Sequence, residues 1–439
     1  MSKLIISGGA PLNGSITVHG AKNSVLPILA ATLVTRGVSV LHNCPQLSDV
    51  EYACRILSHL GCSVARTGNT ILVDTTGFCR FEITEELMRG MRSSIVFLGP
   101  VLARMSRARL YQPGGCDLGP RPIDIHLAAF RQMGMRMEQQ DGFMDCRVEG
   151  RLKGCRILLK FPSVGATENI MIAACLAEGT TVIENAAREP EIEDLAHYLI
   201  RCGAHIAGVG SNVVTVEGVP ALYGTEHQII PDRITAATYL AAAAATGGEI
   251  SLFPVIPEHL SPVMDILQRA GCTIQSGPSR LWIKGPPVLK GGGEIHTEPY
   301  PGFPTDAQAP VMAALCKSRG TTLFEENIFQ SRYKHVEGLN RMGADIVLSG
   351  RKAIVHGVPE LYGEKVEAED LRGGAALVVA ALAALGESEI TGLKHIDRGY
   401  EKIEEALYRI GAKIKRCDEW QEKTFQGQAA RQAGQKMCI

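Results

Sequence analysis

The chain has 439 residues, 45% of them hydrophobic, and its Lys+Arg (45) and Asp+Glu (46) nearly cancel. That length and apolar content suit two compact domains, and the balanced charge excludes a global field that would recruit nucleic acid or an anionic membrane. Apolar runs such as 239–245 fall short of the roughly 20 residues a membrane helix needs, and residues 1–6 lack a leader pattern, so neither membrane insertion nor a secretory signal is expected.

Along the chain, a helix-like segment that ends in glycine and leads into a strand recurs six times. The glycines are Gly61, Gly134, Gly203, Gly271, Gly343 and Gly411, spaced 68 to 73 residues apart. A glycine just past the last apolar turn is what a left-handed helix cap calls for, and β-branched residues such as Ile206, Ile274, Ile346 and Ile414 then start a strand. Each unit also holds a second, almost uncharged helix, at 25–33, 95–102, 170–176, 236–245, 309–316 and 374–385. Helices apolar on every side are buried helices. Six of them argue for helices inside and sheets outside, the reverse of a doubly wound sheet or a (β/α)₈ barrel.

Two halves of three units each are the natural grouping, with 224–231 as the crossover and a lead strand, 3–7, that can pair with either half. Residues 417–439 break the pattern and read as a solvated polar tail. The 13 cysteines show no C-x-x-C spacing, which argues against structural zinc and against a disulfide framework. They read as small core residues in a reducing cytoplasm, with one exception.

The exception is Cys116, in the turn-rich run from Pro113 to Asp124. Arg92, Arg107 and Arg121 lie near it in sequence. It is open to two readings, an inert surface thiol or an acid or nucleophile activated by cations. Lys22, Arg233, Arg332, Arg372 and Arg398 sit in loops next to helix starts, where they can hold phosphate or carboxylate or pair with surface acids. Asp306 opens a buried helix, either as a dipole-favoured terminal carboxylate or as a general base. Ser163, Val164 and Gly165 end a strand and start a buried helix, which makes an anion cradle.

Seven ordered segments resemble the enolpyruvyl transferase (EPSP synthase-like) family, in the branch whose acceptor is UDP-N-acetylglucosamine. They are Gly20-Ala21-Lys22-Asn23-Ser24, Pro113-Gly114-Gly115-Cys116, Arg121-Pro122-Ile123-Asp124, Ser163-Val164-Gly165-Ala166-Thr167, Arg188-Glu189-Pro190-Glu191-Ile192, Pro231-Asp232-Arg233 and His395-Ile396-Asp397-Arg398-Gly399-Tyr400. The likeness runs over residues 1–416. It implies an α/β fold of the inverse α/β barrel type, with 22–230 as one domain, 1–21 and 231–416 as the other, and the active site in the cleft between them.

The resemblance also implies roles. Cys116 protonates the methylene carbon of phosphoenolpyruvate and is the residue fosfomycin would alkylate. Lys22, Arg121 and Arg398 hold phosphate and carboxylate, Arg332 and Arg372 complete the cationic wall, and Asp306 takes the proton of the sugar 3-hydroxyl. Asn23, Arg92, Arg121, Pro122, Ile123, Asp124, Ile125, His126, Ser163, Val164, Gly165 and Ile328 line the UDP-sugar site. Neither cofactor nor metal is called for, and the partners are the two small-molecule substrates of a step in peptidoglycan precursor synthesis. Two alternatives are an acceptor such as shikimate 3-phosphate and a catalytically idle UDP-sugar-binding regulator.

The chain departs from the family pattern at Asp117, Thr235, Ala237 and Gln330. An acidic neighbour raises a thiol's pKa, so Asp117 favours proton donation by Cys116 over adduct formation. These departures suggest a secondary paralogue with altered rate or inhibitor response.

Overall fold

The computed structural model describes residues 2–114, 123–140 and 142–417. Cys116, Asp117, Arg121, Pro122 and residues 418–439 therefore lie outside the described part of the chain. Two compact units divide it. One comprises the residues up to Val18, Ile234–Thr297 and those from Phe303 on; the other comprises His19–Arg233 and Glu298–Gly302.

Among the described residues, six four-stranded sheets, three in each unit, share one strand order. A short edge strand runs parallel to a second strand, which pairs antiparallel with a third, and the third pairs antiparallel with a fourth. In the sheet of Arg156–Leu158, Thr180–Glu184, Val213–Glu217 and His205–Ala207 these four come in a single stretch of chain. Alternation decides the faces, so Val214 and Val216 are fully buried while Val213 and Glu217 are exposed.

Three sheets borrow strands from far along the chain. Glu226–Gln228, inside the segment read as a crossover, lies parallel to Val38–His42. Asn13–Thr17 runs parallel to Glu249–Phe253. Lys3–Ser7 inserts between Glu387–Thr391 and Lys413–Cys417. Cys417, counted above as the start of the polar tail, is the last residue of that sheet and stands opposite Lys3.

The six inner helices, each with a single charged residue, are Lys22–Ala31, Leu98–Met105, Val164–Ala174, Arg233–Thr246, Thr305–Leu315 and Leu371–Ala383. In one unit Lys22–Ala31 and Leu98–Met105 pack on Val164–Ala174, and in the other Leu371–Ala383 packs on Thr305–Leu315. Each fully buried Leu or Val they carry, such as Leu377 and Val378, contributes roughly 1.5–3 kcal/mol. One apolar core fills each unit.

The outer helices all stop in the same way. At Gly203 (φ +106°) the amide donates to the Ile200 carbonyl and the next amide, Ala204, to Leu199, both within 3.0 Å. The other five recurring glycines have φ from +93° to +105° and repeat the pair of bonds. This is the Schellman ending, which needs a residue free to adopt the left-handed conformation. No described helix is long and apolar enough to cross a membrane.

Candidate active site

In the unit His19–Arg233, Lys22 is the first residue of an inner helix whose first turn holds no acid. Its amide donates to Asp232 Oδ2 (3.0 Å), and its Nζ lies 2.7 Å from Oδ2 of the buried Asp49. Asp49 opens the helix Ser48–His59, where the dipole favours a carboxylate. The Lys22 ammonium is thus held in place at a helix N-terminus, an arrangement that suits a phosphate. Asn23 follows it, half-buried, and Arg92, also half-buried, opens a separate turn, Arg92–Phe97.

His126 lies in the helix Asp124–Gln132, after Ile123 at its N-cap, the exposed Asp124 and the half-buried Ile125. The Asn169 side chain fixes its tautomer. Asn169 Oδ1 accepts the Gly99 N–H (2.7 Å), while Nδ2 donates to the Ile95 carbonyl (2.8 Å) and to His126 Nδ1 (3.1 Å). With a donor at Nδ1, the neutral ring carries its proton on Nε2. Burial pushes the imidazole down to about 4, against the opposing pull of Asp124.

The Nε2 edge lies beside Gly165, where an added Cβ would sit 3.6 Å from it. Gly165 belongs to the helix Val164–Ala174, capped by Ser163 Oγ accepting from the Ala166 N–H (3.3 Å), again with no acid in its first turn. A neutral N–H donor and a helix N-terminus therefore meet at Ser163, Val164 and Gly165, and together they favour an anionic or carbonyl oxygen.

Behind that helix start lies an acidic group that sequence reading missed. Glu168 is buried, and burial, followed by the nearby Glu191 and Glu189, pushes its carboxyl well above the usual range. Glu191 takes the guanidinium of Arg233 in a two-point contact (3.0 and 3.2 Å), with both side chains buried. Arg233 is therefore paired, with a buried carboxylate in place of the surface acid expected. Arg107 is likewise engaged elsewhere, bound to Asp145 at 2.7 Å on the outer face of a sheet.

In the other unit, Asp306 stands in the first turn of Thr305–Leu315. Arg332 Nη2 reaches its Oδ1 (2.6 Å), and Arg372 Nη2 reaches its Oδ2 (3.1 Å). Both arginines are almost fully buried, while Asp306 is 26% exposed. Arg332 also donates to the Thr305 carbonyl and lies over the Phe329 ring, and Arg372 lies over the Tyr400 ring. The half-buried Ile328 is anchored by Glu326, whose Oε1 accepts its N–H (2.9 Å) and whose Oε2 accepts the Thr305 hydroxyl (2.9 Å).

Asp370, also missed, caps Leu371–Ala383 by accepting from the Arg372 and Gly373 amides. The string Asp370-Leu371-Arg372 held that N-cap signal. Arg398 is half-buried, and its charge is felt at His395. Among the described residues no group of three His, Cys, Asp or Glu is placed to hold a metal.

These features define a class before a particular family. The fold is that of the enolpyruvyl transferases. The enolpyruvyl transferase NikO from Streptomyces tendae superposes with a TM-score of 0.86 at 24% identity, over 94% of this chain and 98% of that one. EPSP synthase from Acinetobacter baumannii superposes with a TM-score of 0.74 at 20% identity, over 95% and 100%. The profile of EPSP synthase (3-phosphoshikimate 1-carboxyvinyltransferase) matches residues 6–407, and the chain belongs to that family. It is 50% identical over 416 residues to UDP-N-acetylglucosamine 1-carboxyvinyltransferase 2 of Caldanaerobacter subterraneus subsp. tengcongensis, covering 95% of this chain and 100% of that one. It is 48% identical over 419 residues to UDP-N-acetylglucosamine 1-carboxyvinyltransferase 1 of Symbiobacterium thermophilum, covering 94% and 95%.

Proposed function

We propose that the protein transfers the enolpyruvyl group of phosphoenolpyruvate to the 3-hydroxyl of UDP-N-acetylglucosamine and releases phosphate, as a step of peptidoglycan precursor synthesis in the cytoplasm. The observation that carries this reading is the Asp306 carboxylate held between the Arg332 and Arg372 guanidiniums at the head of a helix with no other charge. Near-half identity to relatives named for the UDP-sugar reaction supports that acceptor over shikimate 3-phosphate.

In this mechanism Cys116 gives its proton to the methylene carbon of phosphoenolpyruvate, leaving an oxocarbenium-like centre at C2. The sugar 3-oxygen attacks C2 as Asp306 takes its proton. The tetrahedral intermediate then loses a proton from the new methyl group together with phosphate, which restores the double bond. Lys22, Arg121 and Arg398 hold the phosphate and carboxylate. Arriving anions compete with Asp306 for Arg332 and Arg372, and so free a carboxylate oxygen to act as the base. Asn23, Arg92, residues 121–126, Ser163, Val164, Gly165 and Ile328 receive the UDP-sugar. We assign 22–230 to one domain and 1–21 with 231–416 to the other.

The test is phosphate release from phosphoenolpyruvate with and without UDP-N-acetylglucosamine, run beside Cys116→Ala and Asp306→Ala. Sugar-dependent release that both substitutions abolish is expected. A folded, sugar-binding protein that releases no phosphate would instead be a regulator.

A further inference from the structure

We propose that Arg416 is a positioning residue for Arg398, acting through Asp397. The inference rests on the reading of Arg398 as a ligand of the phosphoenolpyruvate anions. Arg416 lies on the last strand, Lys413–Cys417, opposite Leu4 of the inserted strand Lys3–Ser7. Its two terminal nitrogens grip Asp397 as a fork, Nη1 to Oδ2 at 3.0 Å and Nη2 to Oδ1 at 2.6 Å. Nη2 also reaches Glu404 Oε2 (3.2 Å). Asp397, with Glu404 behind it, holds the Arg416 guanidinium firmly in its protonated form.

Asp397 immediately precedes Arg398. The other side of that segment is fixed as well. Gly399 lies against Leu371, since a Cβ there would be 2.7 Å from Leu371 Cδ2. The Tyr400 hydroxyl meets Thr238 Oγ1 at 2.8 Å, and its ring lies under Arg372. The Arg416 fork adds a hold on the Asp397 side chain.

The fork also settles a competition of charges. Asp397 is the carboxylate next to Arg398 in sequence, and once released it would attract that guanidinium in place of the substrate anion. With both oxygens engaged by Arg416, Asp397 anchors the backbone without neutralising its neighbour. Arg416 therefore sets both the place and the effective charge of Arg398.

The decisive experiment is a steady-state comparison of Arg416→Ala, Arg416→Lys, Asp397→Asn, Arg416→Ala/Asp397→Asn and Arg398→Ala, with Lys415→Ala as a control on the same strand. Arg416→Ala should raise the KM for phosphoenolpyruvate by about tenfold, the size of one lost charge-assisted contact, and leave the KM for UDP-N-acetylglucosamine unchanged. Removing the stranded carboxylate in the double variant should recover the part of that loss that comes from charge competition, and Arg416→Lys, which keeps the charge without the fork, should fall in between. The proposal is overturned if the double variant is no better than Arg416→Ala, or if both KM values rise together. Should Arg416→Ala not fold, Arg416→Lys decides: a phosphoenolpyruvate KM equal to the parent's also overturns it. An Arg398→Ala enzyme with unchanged phosphoenolpyruvate KM would remove the anion-site reading, and this proposal with it.

Discussion

Asn169 donates from Nδ2 to His126 Nδ1 at 3.1 Å, and this contact decides which edge of the imidazole carries the proton. Both other bonds of the amide are to main-chain groups, Gly99 N–H and Ile95 C=O, so Asn169 cannot flip without losing them. Asn169→Leu should therefore cost about 2–4 kcal/mol, since it leaves a buried amide and a buried carbonyl unsatisfied. A urea unfolding curve reads that loss.

His126 and His335 are both buried, and burial pushes each down to about 4 from the usual 6.5. The unfolded chain takes up these protons first as pH falls, so the stability they confer is complete above about 6.5 and lost progressively towards 4. The melting temperature should drop between pH 7 and pH 5, and a His126→Gln/His335→Gln variant should show a flatter profile. A profile as steep as the parent's would mean that other groups dominate.

Asp306 separates base from binding. Asp306→Asn keeps the shape but removes both the base and the carboxylate that Arg332 and Arg372 hold. Loss of the base should lower kcat by about 10²–10⁴-fold. The two guanidiniums then lose a charged competitor for the substrate anions, so the KM for phosphoenolpyruvate should stay level or fall. Steady-state kinetics separates the two effects, and a raised KM with normal kcat would contradict the assignment of Asp306 as the base.

The sixfold repeat was legible because its signals are local. Each outer helix ends at a glycine whose positive φ few other residues adopt, and each inner helix holds an almost uncharged run. Pairings between distant segments left no such trace. Glu226–Gln228 is too short to show alternation, and nothing near it points to Val38–His42. Arg233 meets Glu191 from 42 residues away, and Lys22 meets Asp232 from 210 residues away. A cation beside a helix start looks the same in sequence whether it will hold a ligand or a buried carboxylate. Asp306, Arg332 and Arg372 were each legible as charged residues at loop or helix starts, but their convergence on one carboxylate needs the fold.

Glu168 is a buried acid, and burial, with Glu191 and Glu189 nearby, pushes its carboxyl well above the usual range, so its ionised form opposes folding. Its folded pKa lies above the unfolded value, and the stability it confers is present below about 4.5 and lost as pH rises. Glu168→Gln keeps the shape and removes the titration. It should raise the melting temperature at pH 7 by a few degrees, and the gain should vanish as pH approaches 4.5. A destabilised variant at pH 7 would mean that the carboxyl is ionised and paired.

Asp145 organises the outer face of one sheet. It is 6% exposed although it stands on the solvent side, because Arg107, Arg109 and Arg147 close over it at 2.7, 3.4 and 3.0 Å. Arg107 lies over Phe81 and Arg109 over Phe143, so the cations are fixed by aromatic faces as well. The Arg107 contact, more than any other, holds the Asp145 carboxyl well below the usual carboxylate range, with Arg147 and Arg109 adding to it against burial. Asp145→Asn should cost about 2–4 kcal/mol, because three guanidiniums would be left clustered around a neutral amide. The folded pKa is depressed, so the parent's advantage is present above the unfolded value of 3.8 and is lost as pH falls below it. Urea midpoints of the two proteins should therefore lie well apart at pH 7 and converge below pH 3.8. Midpoints that coincide at pH 7 would reduce the cluster to solvent-screened surface charge.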